Sequence, residues 1–195
     1  MNRIFRRSFG SLRGRWHGRW SWVQGFNVLV APARIVRLVV VFAVLICTVG
    51  CDQATKHIAR STLSPTGSVR PLSSFIQFTL AENPGAFLSL GASLPQAARS
   101  ALAVGLAVGL AFLLVYLVRT LSLRWLCFFG LGLIWAGGVS NLVDRYFRHG
   151  LVTDFMVLRV GPIHTGVFNV ADFAVVVGMV LLVASKWQSM KMHTA

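Results

Sequence analysis

Apolar residues dominate three stretches of bridging length, residues 100–118, 125–143 and 167–184. Each is close to the ~20 residues that an α-helix needs to cross the hydrocarbon of a bilayer. A fourth apolar run, residues 38–51, has 14 residues between Arg37 and Asp52. That is short for a span, but a helix over residues 34–56 crosses if the flanking Arg and Lys reach the interfaces along their aliphatic stems. The pattern therefore predicts four transmembrane helices. Between the first two spans the period changes: Phe75-Ile76-Gln77-Phe78-Thr79-Leu80 alternates and runs into Glu82-Asn83-Pro84-Gly85. Alternation followed by Asn-Pro-Gly predicts a strand entering a tight turn, within a small sheet on the membrane surface. Residues 86–91 read as a return strand or an interfacial segment. The expected fold class is an all-α membrane protein, four transmembrane helices with a small β-rich surface segment outside.

Composition agrees, because 55% of residues are hydrophobic, only 12% are charged and mean hydropathy is +0.69, values foreign to a soluble domain of this size. A net charge of +14 raises the question of nucleic acid. The Arg residues crowd before the first span, at positions 3, 6, 7, 13, 15, 19, 34 and 37, which is positive-inside topology and attraction to anionic lipid, not a basic groove. With that terminus in the cytoplasm, four spans return the carboxyl terminus there. Lys and Arg then number eight before span one, two at the residue 120–124 turn and two after span four, against seven outside. No repeat or low-complexity linker divides the chain. It reads as a basic cytoplasmic extension (residues 1–33), a four-span domain (34–186) and a cytoplasmic tail (187–195). Arg6-Arg7-Ser8-Phe9 touches a twin-arginine export pattern, but the apolar core that should follow is far downstream. The extension reads better as a surface-bound or disordered basic segment with interfacial Trp16, Trp20 and Trp22.

Only five acids stand against 19 Lys and Arg: Asp52, Glu82, Asp144, Asp154 and Asp172. All five fall on the outer side of the predicted topology. Carboxylates near a bilayer are costly and gather where they line a cavity or do chemistry. Clustering outside argues for one shared polar site, although Asp52, Glu82 and Asp144 read equally well as helix-end charges paired with nearby Lys or Arg. Other chemistries find little support. Cys47, Cys51 and Cys127 lack paired-Cys metal spacing. His57, His149 and His164 form no His-Glu-x-x-His arrangement, and Ser89 and Ser140 have no His partner in view.

What remains is the pair Asp154 and Asp172. Two carboxylates held in hydrogen-bond reach cannot both ionise, so the ionised one takes a proton from water while the neutral one polarises a carbonyl. That is the chemistry of peptide hydrolysis without a covalent intermediate, and it needs no metal and no cofactor. Helical spacing adds polar support, with Asn169 and Asp172 at i and i+3, and Asn141, Asp144 and Arg145 on one face at i, i+3 and i+4. Asn169 also reads as a plain helix cap.

Five stretches occur in order: Asp52-Gln53-Ala54-Thr55-Lys56, Asn83-Pro84-Gly85-Ala86-Phe87, Gly137-Gly138-Val139-Ser140-Asn141-Leu142-Val143-Asp144-Arg145, Val152-Thr153-Asp154-Phe155 and Phe168-Asn169-Val170-Ala171-Asp172. In this arrangement the chain resembles the bacterial lipoprotein signal peptidases, signal peptidase II. The second and third stretches are each one residue shorter than the family form, and Ser140 stands for a Gly. The resemblance implies a multi-pass aspartyl peptidase of the bacterial inner membrane, with both termini cytoplasmic and its site and β-rich segment periplasmic. It implies removal of signal peptides from diacylglyceryl-modified prolipoproteins, by cleavage before the lipidated Cys. Asp154 and Asp172 match the family's catalytic pair, Asn83, Asn141, Arg145 and Asn169 match positions lining the substrate site, and Asp52 with Lys56 matches a structural motif. Asp144 is grouped with the supporting residues. Lipidated precursors and membrane lipid are the implied partners, nucleic acid is not, and inhibition by the cyclic peptide globomycin is expected. The competing readings are a noncatalytic family member, or a small membrane protein that binds lipoproteins or cations. A third takes Thr48-Val49-Gly50-Cys51 as the lipobox of a lipoprotein precursor.

Overall fold

The computed structural model describes residues 18–63, 70–72, 75–85 and 91–194. Four helices, α1 (Gly18–Thr62), α2 (Gln96–Arg119), α3 (Trp125–Phe147) and α4 (Val170–Thr194), are joined by two strand pairs, β1 (Arg70–Pro71) and β2 (Ile76–Asn83) between α1 and α2, and β3 (Val152–Val160) and β4 (Ile163–His164) between α3 and α4. Segments Ala33–Thr62, Gln96–Arg119, Trp125–Phe147 and Val170–Lys191 are long and apolar enough to cross a bilayer, so all four expected spans are present. The first is the longest of them. Its helix starts at Gly18, upstream of the expected boundary at residue 33, and α4 runs on to Thr194. The first 17 residues of the basic extension, including Trp16, lie outside the described residues, as do residues 86–90 of the expected return strand.

Helix α3 is the centre of the bundle and packs against α4, α1 and α2. Residue type explains the arrangement. Where lipid is the solvent, a helix apolar all round can face it, whereas small and polar residues turn inward. Thus α2 buries only Leu110 and Leu117, while α3 buries Phe128, Trp135, Ala136, Ser140, Asp144 and three glycines. The seam between α3 and α4 depends on glycine. A Cβ on Gly178 would stand 2.5 Å from the Gly130 carbonyl oxygen, and one on Gly137 would stand 2.5 Å from that of Ala171. Backbone atoms cannot yield to a methyl group, so Gly137→Ala is expected to part the helices beside Asp172. Its expected cost is about 1–3 kcal/mol, as for other overpacked cores, visible as a lower melting temperature in detergent together with lost activity.

Arg37, expected to snorkel to headgroups, is instead 6% exposed. Its guanidinium donates to the carbonyls of Thr120, Leu121 and Leu123 at 2.7–2.8 Å and lies over the Trp125 and Phe128 rings. These carbonyls belong to the α2–α3 turn, where helix-end acceptors lack intrahelical partners, and a planar five-donor cation satisfies three at once.

At the opposite end the strands form one antiparallel sheet, in the order β1-β2-β3-β4. The connection from α3 to α4, expected to be an outer loop folding back, contains the nine-residue strand β3 that carries Asp154. Its Val152-Thr153 and Val157 are β-branched and suit a pleated surface, and β2 supplies the partner edge. One extra residue of β2 bulges out between Phe78 and Ala81, which resets the side taken by the residues after it. Asn83 then pairs with Val152, placing it diagonally across from Asp154. Ala59 of α1 and Leu63 just beyond its end form a small core with Phe155, flanked by Phe78, Leu80, Met156 and Val170, and this core seats the sheet on the bundle.

Candidate active site

The site is built where β3 meets the start of α4. Phe168 exchanges backbone hydrogen bonds with Met156 at 2.9 Å and accepts from Phe155, so the chain enters α4 alongside the strand carrying Asp154. Asn169 is the N-cap: its Oδ1 accepts from the Asp172 backbone N–H at 2.9 Å, and the Asp172 carboxylate accepts from the Asn169 N–H at 3.4 Å. This reciprocal pairing is a capping box, which is why the helix begins at Val170 and not at 167. The Asn169 NH2 group then donates to Asp154 Oδ1 at 2.6 Å and to Asn141 Oδ1 at 3.1 Å. Asn141 in turn donates to Asp172 Oδ1 at 2.8 Å, and Asn83 donates to Asp154 Oδ2 at 2.9 Å. Two carboxylates from different elements are therefore linked through the amides of Asn169 and Asn141, while Asn83 holds Asp154 from its other oxygen. Cap and site are one residue in Asn169, which is fully buried.

Beneath this pair lies an ionic cluster. Lys56 is wholly buried, with its Nζ 2.6 Å from Asp52, 2.8 Å from Asp144 and 3.1 Å from Asn141 Oδ1. The expected i, i+4 pair of Asp52 and Lys56 is present, but Lys56 turns inward to two acids where an exit to the interface was expected. An ammonium surrounded by two carboxylates and an amide oxygen has exchanged its hydration shell for charged acceptors, the condition for burying such a group. Both acids also hold backbone. Asp52 accepts from the Ala171 N–H at 2.9 Å and Asp144 from the Thr153 N–H at 3.1 Å. Ser140, without a base to make it a nucleophile, donates to Asp52 at 2.7 Å, and Gln53 donates to Asp144 at 2.9 Å. The place between these carboxylates is filled by a side-chain cation. Among the described residues, no group of three or more His, Cys, Asp or Glu is arranged to hold a metal ion.

Burial pushes the Asp154 carboxyl up to about 7; the Asn83 amide pulls the other way, the Asp172 charge pushes it further up and the Asn169 amide again opposes. Burial wins because Asp154 is 1% exposed, and its hydrogen bonds only partly replace water.

Of the five acids, Asp52, Asp144, Asp154 and Asp172 are buried together, and Glu82 stays at the rim, half-exposed and paired with Arg148 at 2.9 Å. Arg145 donates to the Asn141 carbonyl at 3.0 Å and to the Gly85 carbonyl at 2.6 Å, tying the end of β2 to α3. Asn83 Oδ1 closes the same turn by accepting from the Gly85 N–H at 2.9 Å. Sequence reasoning passed over Gln53, Thr153 and the Gly85 carbonyl. The adjacency of Gln53 to Asp52, and of Thr153 to Asp154, was the signal available.

Four apolar spans capped by a small sheet, with buried carboxylates joined through amides at their junction, fit one class of protein, the membrane-embedded aspartic peptidase. The family model for signal peptidase (SPase) II matches residues 21–188. The lipoprotein signal peptidase of Desulforapulum autotrophicum is 36% identical over 150 residues, covering 76% of this chain and 90% of that one. That of Moorella thermoacetica is 35% identical over 132 residues, 67% of this chain and 81% of the relative. Among solved structures, a bacterial membrane enzyme determined by the in meso method at 2.3 Å resolution shares the fold with a TM-score of 0.65 at 21% identity, over 77% of this chain and 89% of its own. The chain belongs to the signal peptidase II family.

Proposed function

We propose that this protein removes signal peptides from diacylglyceryl-modified prolipoproteins, cutting before the lipidated Cys, with Asp154 and Asp172 as the catalytic pair. The observation that carries the reading is the amide relay through Asn169 and Asn141, which couples two buried carboxylates from separate elements. In the mechanism, the ionised member of the pair takes a proton from one water as it attacks the carbonyl preceding the Cys. The neutral member donates to the carbonyl oxygen as charge develops there, and a proton then passes to the leaving amine. Asn83, Asn141 and Asn169 hold the carboxyls, and Arg145 with Asp144 holds the loop and strand around them. The signal helix arrives laterally between the spans, its acyl chains staying in the bilayer. Location in the bacterial inner membrane, both termini in the cytoplasm and the site at the periplasmic face complete the proposal. The basic extension at residues 1–33 and the tail at 187–195 flank the peptidase domain of residues 34–186.

Incubating purified protein with one precursor in lipidated and unlipidated form tests this. Cleavage of the lipidated form alone, blocked by globomycin, is expected; indifference to lipidation would remove the substrate assignment. The pH dependence has a defined sign. A carboxyl raised to about 7 still carries its proton on a large share of molecules at neutral pH, and the mechanism needs one proton on the pair. kcat should therefore fall as pH rises through about 7 and fall again in acid, when both members are protonated. A rate constant flat from pH 6 to beyond about 9 would contradict the shared proton.

A further inference from the structure

The buried cluster below the acids has a feature that charge balance alone does not require: Lys56 spends its third hydrogen bond on the amide of Asn141. An Asn side chain is nearly symmetric in shape, and its direction is set by its partners. An ammonium has donors only, so the Asn141 oxygen must face Lys56, and the Asn169 NH2 reinforces that choice at 3.1 Å. The Asn141 NH2 is thereby turned onto Asp172 at 2.8 Å. A flip of the amide would set NH2 against ammonium and oxygen against carboxylate. The same Lys56 anchors Asp52 and Asp144, and each of these grips the backbone N–H of the residue just before an acid of the pair: Ala171 before Asp172, and Thr153 before Asp154.

Resting on the peptidase reading above, we infer that Lys56 is a positioning residue for the cleavage step, one that fixes the Asn141 amide toward Asp172. It touches no reacting atom. Its effect travels through Asn141, and that route separates it from a residue that merely stabilises the fold.

A double-mutant cycle tests the route. Wild type, Lys56→Met, Asn141→Ala and the double variant are assayed on lipidated precursor for kcat and KM, and melted in detergent. Lys56→Met and Asn141→Ala should each lower kcat about tenfold or more with little change in KM, whereas the double variant should be no slower than Asn141→Ala alone, the coupling expected of contacting residues. If the kcat losses multiply, or Lys56→Met leaves kcat intact, Lys56 only supports the fold and the inference is overturned. Should Lys56→Met fail to fold because two buried acids lose their counter-ion, Asp52→Asn/Lys56→Met replaces it in the cycle, since that pair preserves the net charge of the cluster. Asp154→Asn run alongside keeps the two levels apart. If it still cuts, the assignment of the catalytic pair has failed; if it is inactive while the cycle is additive, only the role of Lys56 has.

Discussion

Asp154→Asn and Asp172→Asn are each expected to lower kcat on lipidated precursor by about 10⁴-fold, the scale seen when one member of a concerted catalytic unit is removed. The mechanism assigns one proton to two carboxyls, and an amide can neither accept the proton of the attacking water nor give one up to the carbonyl. At Asp154 there is an added effect. Both of its oxygens accept from NH2 groups, those of Asn83 and Asn169, so an amide in that place sets a donor against a donor whichever way it turns. Asp172 faces such a group at Oδ1, and its other contact is a 3.4 Å bond from the Asn169 N–H. The Asp172 variant is the cleaner of the two, with its melting temperature nearer wild type. Insertion should be normal for both, since each change removes a charge and leaves the four spans untouched.

Asn169→Ala should cost nearly as much, about 10²- to 10³-fold in kcat, comparable to losing a preorganised donor in other active sites. Four contacts vanish together: the donors to Asp154, to Asn141 Oδ1 and to the Thr153 carbonyl, and the cap on the Asp172 N–H. Loss of the cap should destabilise the protein by about 0.5–2 kcal/mol. Asn169→Ser separates the two roles, because a serine oxygen caps a helix as well as an amide does but cannot reach and bridge as the NH2 group does. The Ser variant should recover most of the lost melting temperature and little of the lost rate. Recovery of both would reduce Asn169 to a cap.

How far these residues could be read from the chain depended on the range of the interaction. The spans follow from local apolar length, and the gathering of acids on one side follows from topology alone. Partner choice did not. Lys56 sits four residues after Asp52, and periodicity supplies that pair, but the second acid comes from α3, 88 positions away, and only folding brings it within 2.8 Å. Arg37 reads as a snorkelling cation for the same reason: its acceptors are carbonyls of a distant turn. Strand β3 reads as a loop because a central Asp and a short approach from α3 break the alternating signature. The left-handed His149 and Gly150, at φ 53° and 92°, make that abrupt approach. The bulge in β2 changes which side Asn83 takes, a shift that period-two reasoning begun at Phe75 cannot register. Asn169 carried both a structural and a functional reading in the sequence, and the fold puts the helix cap and the donor to Asp154 on this one side chain.

The central claim is that Asp154 and Asp172 drive one water directly onto the peptide carbonyl. Cleavage of lipidated precursor in ¹⁸O-water, limited to a single turnover and read by the mass of the released signal peptide, addresses it most directly. The account predicts one ¹⁸O in the new carboxyl terminus with wild type, no hydroxamate when hydroxylamine is present, and no release by Asp154→Asn or Asp172→Asn. A trapped hydroxamate, which requires an acyl-enzyme, or release of signal peptide by either variant would contradict it.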